Sequence, residues 1–380
     1  MLLVALLVIC LALAVTAFLL LDRGAATGAA PSASPDAAGA ATGAAPSPTP
    51  SAAPAEAHFT IGYAGDVLTH MPVMDDTAGG GGDIEPLIAA ARPWSEGVDL
   101  ALCGMEVPVA PDGVPSGYPV FGSTTAVVDA LSRSGWDGCA TASNHSWDQG
   151  FDGVVATADA LRADSMGYSG TNRTQAEAAA PYQLYELTRG GMTITVAQLS
   201  TTYGLNGFSA DPDWAVNLND VAWVEAQARA AREAGADVVV LHTQLGEEYS
   251  TEPVPEQTEF ARAVAQTGQV DVLFGAHPHV PETNELLPGG PGGRGMWVSY
   301  SAGNFISNQS EELGTVLVSV GLFVWVDVVV TQDADGTRSA GVEALHWHPF
   351  TVDLGGGHRL VDLAAAQQGR APEGATLSAE

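Results

Sequence analysis

Lysine is absent from this sequence of 380 residues, and all 13 of its basic residues are arginines. They are outnumbered by 44 acidic residues, so the formal net charge at neutral pH is −31. A nucleic-acid-binding surface needs clustered basic side chains, and a chain with this charge repels polyanions overall. We therefore expect no nucleic-acid partner, and we attribute the missing lysines to a biased genome composition.

Cysteine is also scarce, with only Cys10, Cys103 and Cys139 in the chain. A structural zinc site built on several thiolates is therefore not expected. Cys10 follows Ile9, where a lipoprotein signal would need a small residue, so lipidation is not expected either. Cys103 and Cys139 each end an apolar run. In an exported chain they could form a disulfide, and two buried free thiols are an equal alternative.

The chain is predicted to contain four parts. Residues 1–22 begin with 21 residues that carry no charge, which is long enough for one membrane-spanning helix. A cleaved signal peptide, cut near Ala25, is the alternative, and the missing charged residues before the apolar run favour the anchor. The parts that follow are a disordered Ala/Pro/Ser/Gly linker (23–57), a folded domain (58–365) and a disordered tail (366–380). Either reading of the N-terminus places the domain outside the cytoplasm, tethered to the cell membrane or secreted.

Within the folded part, short apolar strands alternate with helical patterns. The helical spacing predicts helices over 124–135, 151–163, 220–235 and 255–268. Strands are predicted over 59–66, 98–106, 136–144, 192–200, 237–242 and 270–279. The β-rich final third is expected to form a second, more antiparallel sheet. This order predicts an α/β fold in which helices cover the sheets.

Almost every predicted strand ends in a side chain that can bind a metal ion or transfer a proton. These residues, in chain order, are Asp66, Glu106, Asn144, His145, His242, His277 and His279. Each is unremarkable alone: Asp66 could cap a turn, and a lone His242 is most often a core histidine. Sites in open α/β sheets form where the carboxyl ends of strands meet, so together they predict one site.

The residue types at these strand ends suit a borderline divalent metal ion such as Mn, Fe or Zn. His277 and His279 lie two positions apart, so in extended backbone both imidazoles would face one ion. Asp148, three residues after His145, has two readings. It either orients His145 or caps the helix that follows.

Six stretches of the sequence resemble one known family. The stretches are YAGDVLT, CGMEVPV, ASNHSWDQG, VVVLHTQLGEEY, FGAHPHV and VSYSAGNFIS, in order over roughly residues 59–308. They are similar to the CapA family of capsule synthesis, the poly-γ-glutamate biosynthesis proteins. The resemblance implies a fold like that of the calcineurin-like metallophosphatases. That fold is a four-layer α-β-β-α sandwich with mixed sheets.

The resemblance also implies roles for individual residues. The expected metal ligands are Asp66, Glu106, Asn144, His242, His277 and His279. The expected catalytic residues are His145, which would contact the leaving side of the substrate, and Asp148. Glu248 and Asn304 match family positions with less defined roles.

Three positions depart from the family pattern. Gly104 stands where relatives carry asparagine, and Thr243-Gln244-Leu245-Gly246 follows His242 where relatives show tryptophan-glycine. Leu68 occupies the histidine position of the phosphatase Asp-x-His motif, and His70 lies at the wrong spacing to replace it. We therefore expect one firmly held ion, with a second in question.

The implied function is a metal-dependent hydrolase, or an acyl- or phosphoryl-transfer enzyme, that uses metal-activated water. The alternative is a non-catalytic accessory protein that binds nascent polymer or its membrane synthetase. The implied partners are poly-γ-glutamate or another cell-envelope polymer, that synthetase and the membrane. Arg173 and Arg294 are the arginines considered as contacts for an acidic substrate.

Overall fold

The computed structural model describes residues 55–371 and 375–376. The strands of this part are β1 (Ala55–Val67), β2 (Leu100–Gly104), β3 (Gly138–Ala140), β4 (Gly167–Ser169), β5 (Gln183–Arg189), β6 (Met192–Thr202), β7 (Val238–Gln244), β8 (Val272–Ala276), β9 (Asn284–Leu287), β10 (Met296–Ser299), β11 (Asn304–Ile306), β12 (Val320–Gln332), β13 (Arg338–Asp353) and β14 (Arg359–Asp362). Its α-helices are α1 (Met71–Asp75), α2 (Glu85–Ile88), α3 (Arg92–Ser95), α4 (Thr125–Arg133), α5 (Gly150–Ala163), α6 (Gln175–Ala179), α7 (Val221–Glu233), α8 (Pro255–Thr267) and α9 (Leu363–Gln367).

The strands form two mixed sheets. The first has the order β14-β13-β12-β1-β2-β3-β4, with β11 also paired to β1. In it, β1 to β4 and β11 run parallel, and β12 to β14 are antiparallel to their neighbours. The second has the order β5-β6-β7-β8-β10-β9, with a parallel centre and antiparallel edges. The parallel centres of both sheets carry the strand ends that the sequence singled out.

Three apolar clusters lie on and between these sheets. One packs side chains of β1, such as Phe59 and Ile61, against side chains of the second sheet, such as Val240. The other two lie on the outer faces, where helices α4 and α5 cover the first sheet and α7 and α8 cover the second. Along β7 the side chains alternate: Val240 faces the other sheet, and Leu241 faces the helices. This alternation follows from the period of two residues in a strand.

The four helices predicted from spacing are present as α4, α5, α7 and α8, with ends within two residues of the predicted ones. Local chemistry explains two of their termini. Asp220 precedes α7, and its side chain accepts a hydrogen bond from the Trp223 amide. Helix α8 begins at Pro255 and ends before Gly268, which has the left-handed conformation that glycine adopts without strain.

The expectation of a separate second sheet in the final third was wrong. Strands β12 and β13 join the first sheet, because β12 pairs along β1 from Ala55 to Ala64. Only β9 and β10 of this region lie in the second sheet. The terminal elements extend beyond the predicted ones. Strand β1 begins at Ala55, within the predicted linker, rather than at residue 59, and α9 ends at Gln367, within the predicted tail.

Cys103 and Cys139 are joined in a disulfide. They are direct partners on the neighbouring parallel strands β2 and β3, with their Cα atoms 4.4 Å apart. Of the two alternatives left open by the sequence, the structure therefore contains the disulfide.

The predicted anchor at 1–22 lies outside the described residues, as does the linker up to residue 54. Within residues 55–371 and 375–376, no helix has the length and apolar character needed to cross a membrane.

Candidate metal centre

The carboxyl ends of β1, β2 and β8 bring three of the predicted ligands together. Asp66 lies near the end of β1, Glu106 follows β2, and His279 follows β8. Each offers a ligand atom, and these atoms all lie within 4.8 Å of one another. His279 also belongs to a second such group with His277 and Glu248. Since the two groups share His279, they form one polar cluster.

Two of the three carboxylates of the cluster, Asp66 and Glu106, are buried, and one of these two has no hydrogen-bond partner. Asp66 accepts hydrogen bonds from Gln244 Nε2 (2.6 Å) and from the His277 amide (3.3 Å). Glu106 is 1% exposed, and neither of its oxygens has a hydrogen-bond partner. An unpaired buried carboxylate is costly unless a cation or a proton compensates it. The residues present therefore fit a divalent cation at this point.

His277 and His279 both have positive φ angles rather than extended backbone. Extended backbone is expected from the i, i+2 spacing, but the φ angles of His277 and His279 are +99° and +60°. Such values are uncommon for residues other than glycine, and they are often found at functional sites. His279 Nδ1 lies 3.5 Å from Asp66 Oδ2, and its Nε2 lies 3.8 Å from Glu106 Oε1. The two imidazoles thus converge because the chain turns here.

Asn304 orients His279. Its Nδ2 donates to the carbonyl oxygens of His279 (3.3 Å) and Val318 (3.0 Å), which assigns the amide orientation. Oδ1 therefore accepts from His279 Nδ1 at 3.0 Å. This hydrogen bond leaves His279 Nε2 as the nitrogen available to a cation, a common arrangement around metal-binding histidines.

The electrostatics of the cluster also favour a bound cation. Burial and the charge of Asp66 raise the pKa of Glu106 to about 8. Burial lowers the pKa of His279, but Glu106 and Asp66 outweigh it and raise that pKa to about 9. Burial lowers the pKa of His277 to about 3, helped by the nearby His279 and His145. Two buried carboxylates therefore require positive charge, while His277 stays neutral and able to bind a metal ion.

Asn144 and His145 follow β3 and face this region. Asn144 Oδ1 is buried without a hydrogen-bond partner, and Nδ2 donates to Asn206 Oδ1 at 3.4 Å. The free Oδ1 fits the predicted role of a metal ligand. His145 lies beside Asn206 as well, with Asn206 Nδ2 3.4 Å from its ring nitrogens.

Asp148 orients His145. Its Oδ2 lies 2.7 Å from His145 Nδ1 and accepts the Phe121 amide at the same distance. Helix α5 starts at Gly150 after Gln149, so the capping alternative for Asp148 is not what the structure shows. Burial lowers the pKa of His145, but the hydrogen bond that His145 donates to Asp148 and the charge of Glu106 outweigh it and raise that pKa. His145 therefore holds a proton more readily than an ordinary histidine.

His242, a predicted ligand, belongs to neither of the two groups described above. Its ring lies between the sheets, 4.8 Å from Tyr63 and 5.7 Å from Phe274. Both of its ring nitrogens are buried without partners, and burial lowers its pKa to about 3. Strand β7 continues for two residues beyond His242, so Gln244 is the side chain that reaches Asp66.

Gln244 was not predicted from the sequence, and neither was Asn206 beside Asn144 and His145. Gln244 lies on the same face of β7 as His242, as residues i and i+2 of a strand must. Its Nε2 is bonded to Asp66, while its Oε1 is buried without a partner. Extending the predicted strand by two residues would have revealed Gln244.

The structure also places Gly104 and Leu68, which depart from the family pattern, and the two arginines considered as substrate contacts. A Cβ atom at Gly104 would lie 2.9 Å from the Tyr63 hydroxyl, so a larger side chain does not fit there. Leu68 lines the cleft outside the cluster. Arg173 is paired with Glu177, and Arg294 bonds to the β13 backbone. Neither arginine lines the cleft.

A cleft of about 680 Å³ opens over the cluster. Its inner part is lined by Asn144, His145 and His279, and its outer part by Tyr118, Phe208 and Leu313, among others. No arginine lines it among the described residues. Positive charge in this cleft must therefore come from imidazoles or from a bound cation.

The fold and the cluster together define a mixed α/β protein with a candidate divalent-metal centre between two sheets. Residues 60–309 match the sequence profile of a family described as "Bacterial capsule synthesis protein PGA_cap". Because this match covers more than half of the chain, the chain belongs to that family.

Two curated relatives are named CapA. The chain is 27% identical over 190 residues to the capsule biosynthesis protein CapA of Bacillus anthracis, which covers 48% of this chain and 43% of that protein. It is 27% identical over 169 residues to the PGA biosynthesis protein CapA of Bacillus subtilis (strain 168), covering 44% and 42%. The chain thus spans less than half the length of these relatives.

Solved structures with a similar fold include the NAD nucleotidase of Haemophilus influenzae. Its TM-score is 0.46 at 14% identity, covering 81% of this chain and 52% of that one. The calcineurin-like phosphoesterase YfkN of Bacillus subtilis has a TM-score of 0.45 at 14% identity, covering 78% and 91%.

Proposed function

We propose that this chain is a metal-dependent hydrolase, or an acyl- or phosphoryl-transfer enzyme, that acts in capsule or poly-γ-glutamate biosynthesis outside the cytoplasm. The proposal extends the naming of its relatives to this chain. The observation that carries it is the convergence of Asp66, Glu106 and His279 beside the His145–Asp148 pair. Buried ligands that include an unpaired carboxylate, next to an oriented proton donor, are the parts that metal-assisted hydrolysis requires.

Asp66, Glu106, His279, His277 and Asn144 would hold the cation. A bound Mn, Fe or Zn ion supplies a Lewis acid and lowers the pKa of a water molecule. Glu106 and Asp66 supply the negative charge that balances the ion.

His145 would donate a proton to the leaving group. Its Nδ1 is held by Asp148, so its Nε2 is the nitrogen left to face a substrate. The raised pKa of His145 favours the protonated form that a general acid needs. Positioned proton transfer of this kind contributes about 10²–10⁴-fold to rate. Asp148 acts through His145 and is a positioning residue.

The experiment measures bound metal and turnover of the purified full-length chain. Phosphoester and γ-glutamyl substrates are tested with added Mn²⁺, in the wild type and in His277→Ala, His145→Ala and His346→Ala. His346 is a surface histidine on β13 paired with Asp327, and it serves as the matched control. We expect His277→Ala to lose metal, His145→Ala to keep metal and lose turnover, and the control to change neither.

Each outcome has a clear meaning. Unchanged metal content in His277→Ala contradicts the metal centre, and full turnover in His145→Ala removes its catalytic role. If no substrate turns over, yet cells that carry His277→Ala lose their polymer, the accessory-protein alternative replaces the enzyme. That alternative binds nascent polymer or its membrane synthetase in the same cleft.

A further inference from the structure

Three loops around the cleft expose large apolar side chains. The loop 107–124 carries Val114, Tyr118 and Val120, the loop 203–212 carries Tyr203 and Phe208, and the loop 307–319 carries Leu313 and Val316. Tyr118 is 81% exposed, Phe208 46% and Leu313 41%. All three line the outer part of the cleft. We call Tyr118, Phe208 and Leu313 the apolar mouth.

Four of these exposed side chains, Tyr118, Val120, Phe208 and Leu313, line one cleft. Ten large apolar side chains are exposed in the described part of the chain, and seven of them lie on these three loops. Single exposed apolar residues are ordinary, but a cluster at the entrance of a polar cleft marks a binding surface. The three loops are distant in sequence, so the fold itself brings their apolar side chains together.

The cleft therefore changes character from its floor to its entrance. The floor holds Asn144, His145 and His279, which suit an anionic or polarised reacting group. The apolar mouth has no charged side chain that could pair with a second anionic group of the ligand. The nearby Glu248 would repel such a group. A long polyanion placed along this cleft would lose water from its charges at the mouth without gaining partners.

We propose that the substrate is amphiphilic: a phosphate ester whose alkyl or aryl group lies in the apolar mouth while the phosphate reaches the metal centre. This inference rests on the proposed function and names the substrate class of that same site. Each methylene group that leaves water for an apolar surface contributes up to about 0.8 kcal/mol, which is about four-fold in affinity. A half-open mouth should give about two-fold for each methylene group.

The test uses phosphonates, which bind like phosphate esters and are not hydrolysed. Methyl-, butyl- and octylphosphonate are titrated by calorimetry into the full-length chain with Mn²⁺. We expect the dissociation constant to fall by about two-fold for each added methylene group. In the double variant Phe208→Ala/Leu313→Ala, the ratio between the methyl and octyl constants should collapse several-fold. Trp347→Ala, an exposed aromatic on β13 outside the cleft, should leave that ratio unchanged.

Kinetics with methyl and octyl phosphate then separate this inference from the proposed function. If octylphosphonate binds tightly, yet neither octyl phosphate nor the γ-glutamyl substrates are turned over, the enzyme proposal fails and the amphiphilic site stands. If both esters are hydrolysed with equal kcat/KM, the enzyme proposal stands and the amphiphilic substrate is ruled out. Equal affinity for all three phosphonates also overturns the inference, and it would leave the exposed loops as a surface for a partner protein.

Discussion

At the scale of single residues, Gln244 and His242 show how two positions on one strand face have different chemistry. Gln244 stands at the end of β7 and donates to Asp66 at 2.6 Å. His242 stands two residues earlier, enclosed by Tyr63 and Phe274. Groups that orient metal ligands through hydrogen bonds influence metal affinity almost as much as the ligands do.

We predict that Gln244→Leu weakens Mn²⁺ binding by about 10–100-fold, because Asp66 loses the hydrogen bond that orients it. His242→Leu should leave Mn²⁺ affinity unchanged, since its ring packs against Tyr63 and Phe274. The measurement is a metal titration of the full-length variants, with thermal unfolding to check that both are folded. Loss of binding in His242→Leu, with Gln244→Leu unaffected, would return His242 to the ligand set.

At the scale of elements, the site depends on the close approach of β1 and β11. The amide of Asp66 donates to the carbonyl of Gly303 at 3.1 Å. A Cβ atom at Gly65 would lie only 1.7 Å from that same oxygen. Only glycine lets the two backbones come this close, and the contact sets the position of Asp66 at the end of its strand.

Gly65→Ala should therefore lower the free energy of unfolding by about 1–3 kcal/mol, the usual cost of forcing extra atoms into a packed site. It should also weaken Mn²⁺ binding, since the backbone shift moves Asp66. Denaturant unfolding and metal titration check both effects. Gly204→Ala is the control, because a Cβ atom there meets nothing within 4 Å. Wild-type stability in Gly65→Ala would show that the strands can separate without cost.

The segment after β8 supplies a prediction on pH. Glu282 is buried, and its Oε2 accepts a hydrogen bond from Gln257 Nε2 at 2.6 Å. Its Oε1 has no partner, and burial raises its pKa from 4.5 to about 7. The folded protein thus binds this proton more tightly than the unfolded chain, so stability is lost as the pH rises through that range.

Glu282→Gln should remove this loss, because the amide stays neutral at every pH in the range. Between pH 4.5 and pH 8, the free energy of unfolding should fall further in the wild type than in Glu282→Gln. The difference between the two decreases should be on the order of 3 kcal/mol. Chemical denaturation at pH 4.5, 6 and 8 measures the difference. Glu259→Gln, at an exposed position of α8, is the matched control. Parallel pH curves for the wild type and Glu282→Gln would contradict the buried-acid explanation.

At the scale of the whole molecule, the net charge and the lining of the cleft both disfavour the binding of polyanions. The chain carries a net charge of −31, and no arginine lines the cleft among the described residues. Polyanions are therefore repelled at long range, and only the metal centre and its imidazoles attract an anionic group locally. We therefore expect this molecule to select a ligand by one anionic group rather than by a row of charges.

The predicted N-terminal anchor gives a test on the same scale. We propose that residues 1–22 tether the chain to the cell membrane with the folded part outside the cytoplasm. The full-length chain should then sediment with membranes, resist extraction at high salt and high pH, and keep its first residues by mass spectrometry. External protease should degrade the folded part in spheroplasts. A soluble product that begins near Ala25 would instead establish a cleaved signal peptide and a secreted protein.

Much of this protein could be predicted from local sequence signals. The four long helices follow from apolar spacing and terminal residues, as with Asp220 before α7 and Gly268 after α8. The order of polar strand ends predicted a shared site, and Asp66, Glu106 and His279 do meet. These features are set by neighbours within a few residues, which is why a single sequence carries them.

Only the tertiary structure decided what depends on distant partners. Pairing along β1 placed β12 and β13 in the first sheet. The left-handed turns at His277 and His279 are held by contacts with Asp66 and Asn304, which lie far away in sequence. The length of β7 decided that Gln244 rather than His242 reaches the cluster. Such outcomes depend on the free energy of contacts between remote segments, and local spacing does not encode it.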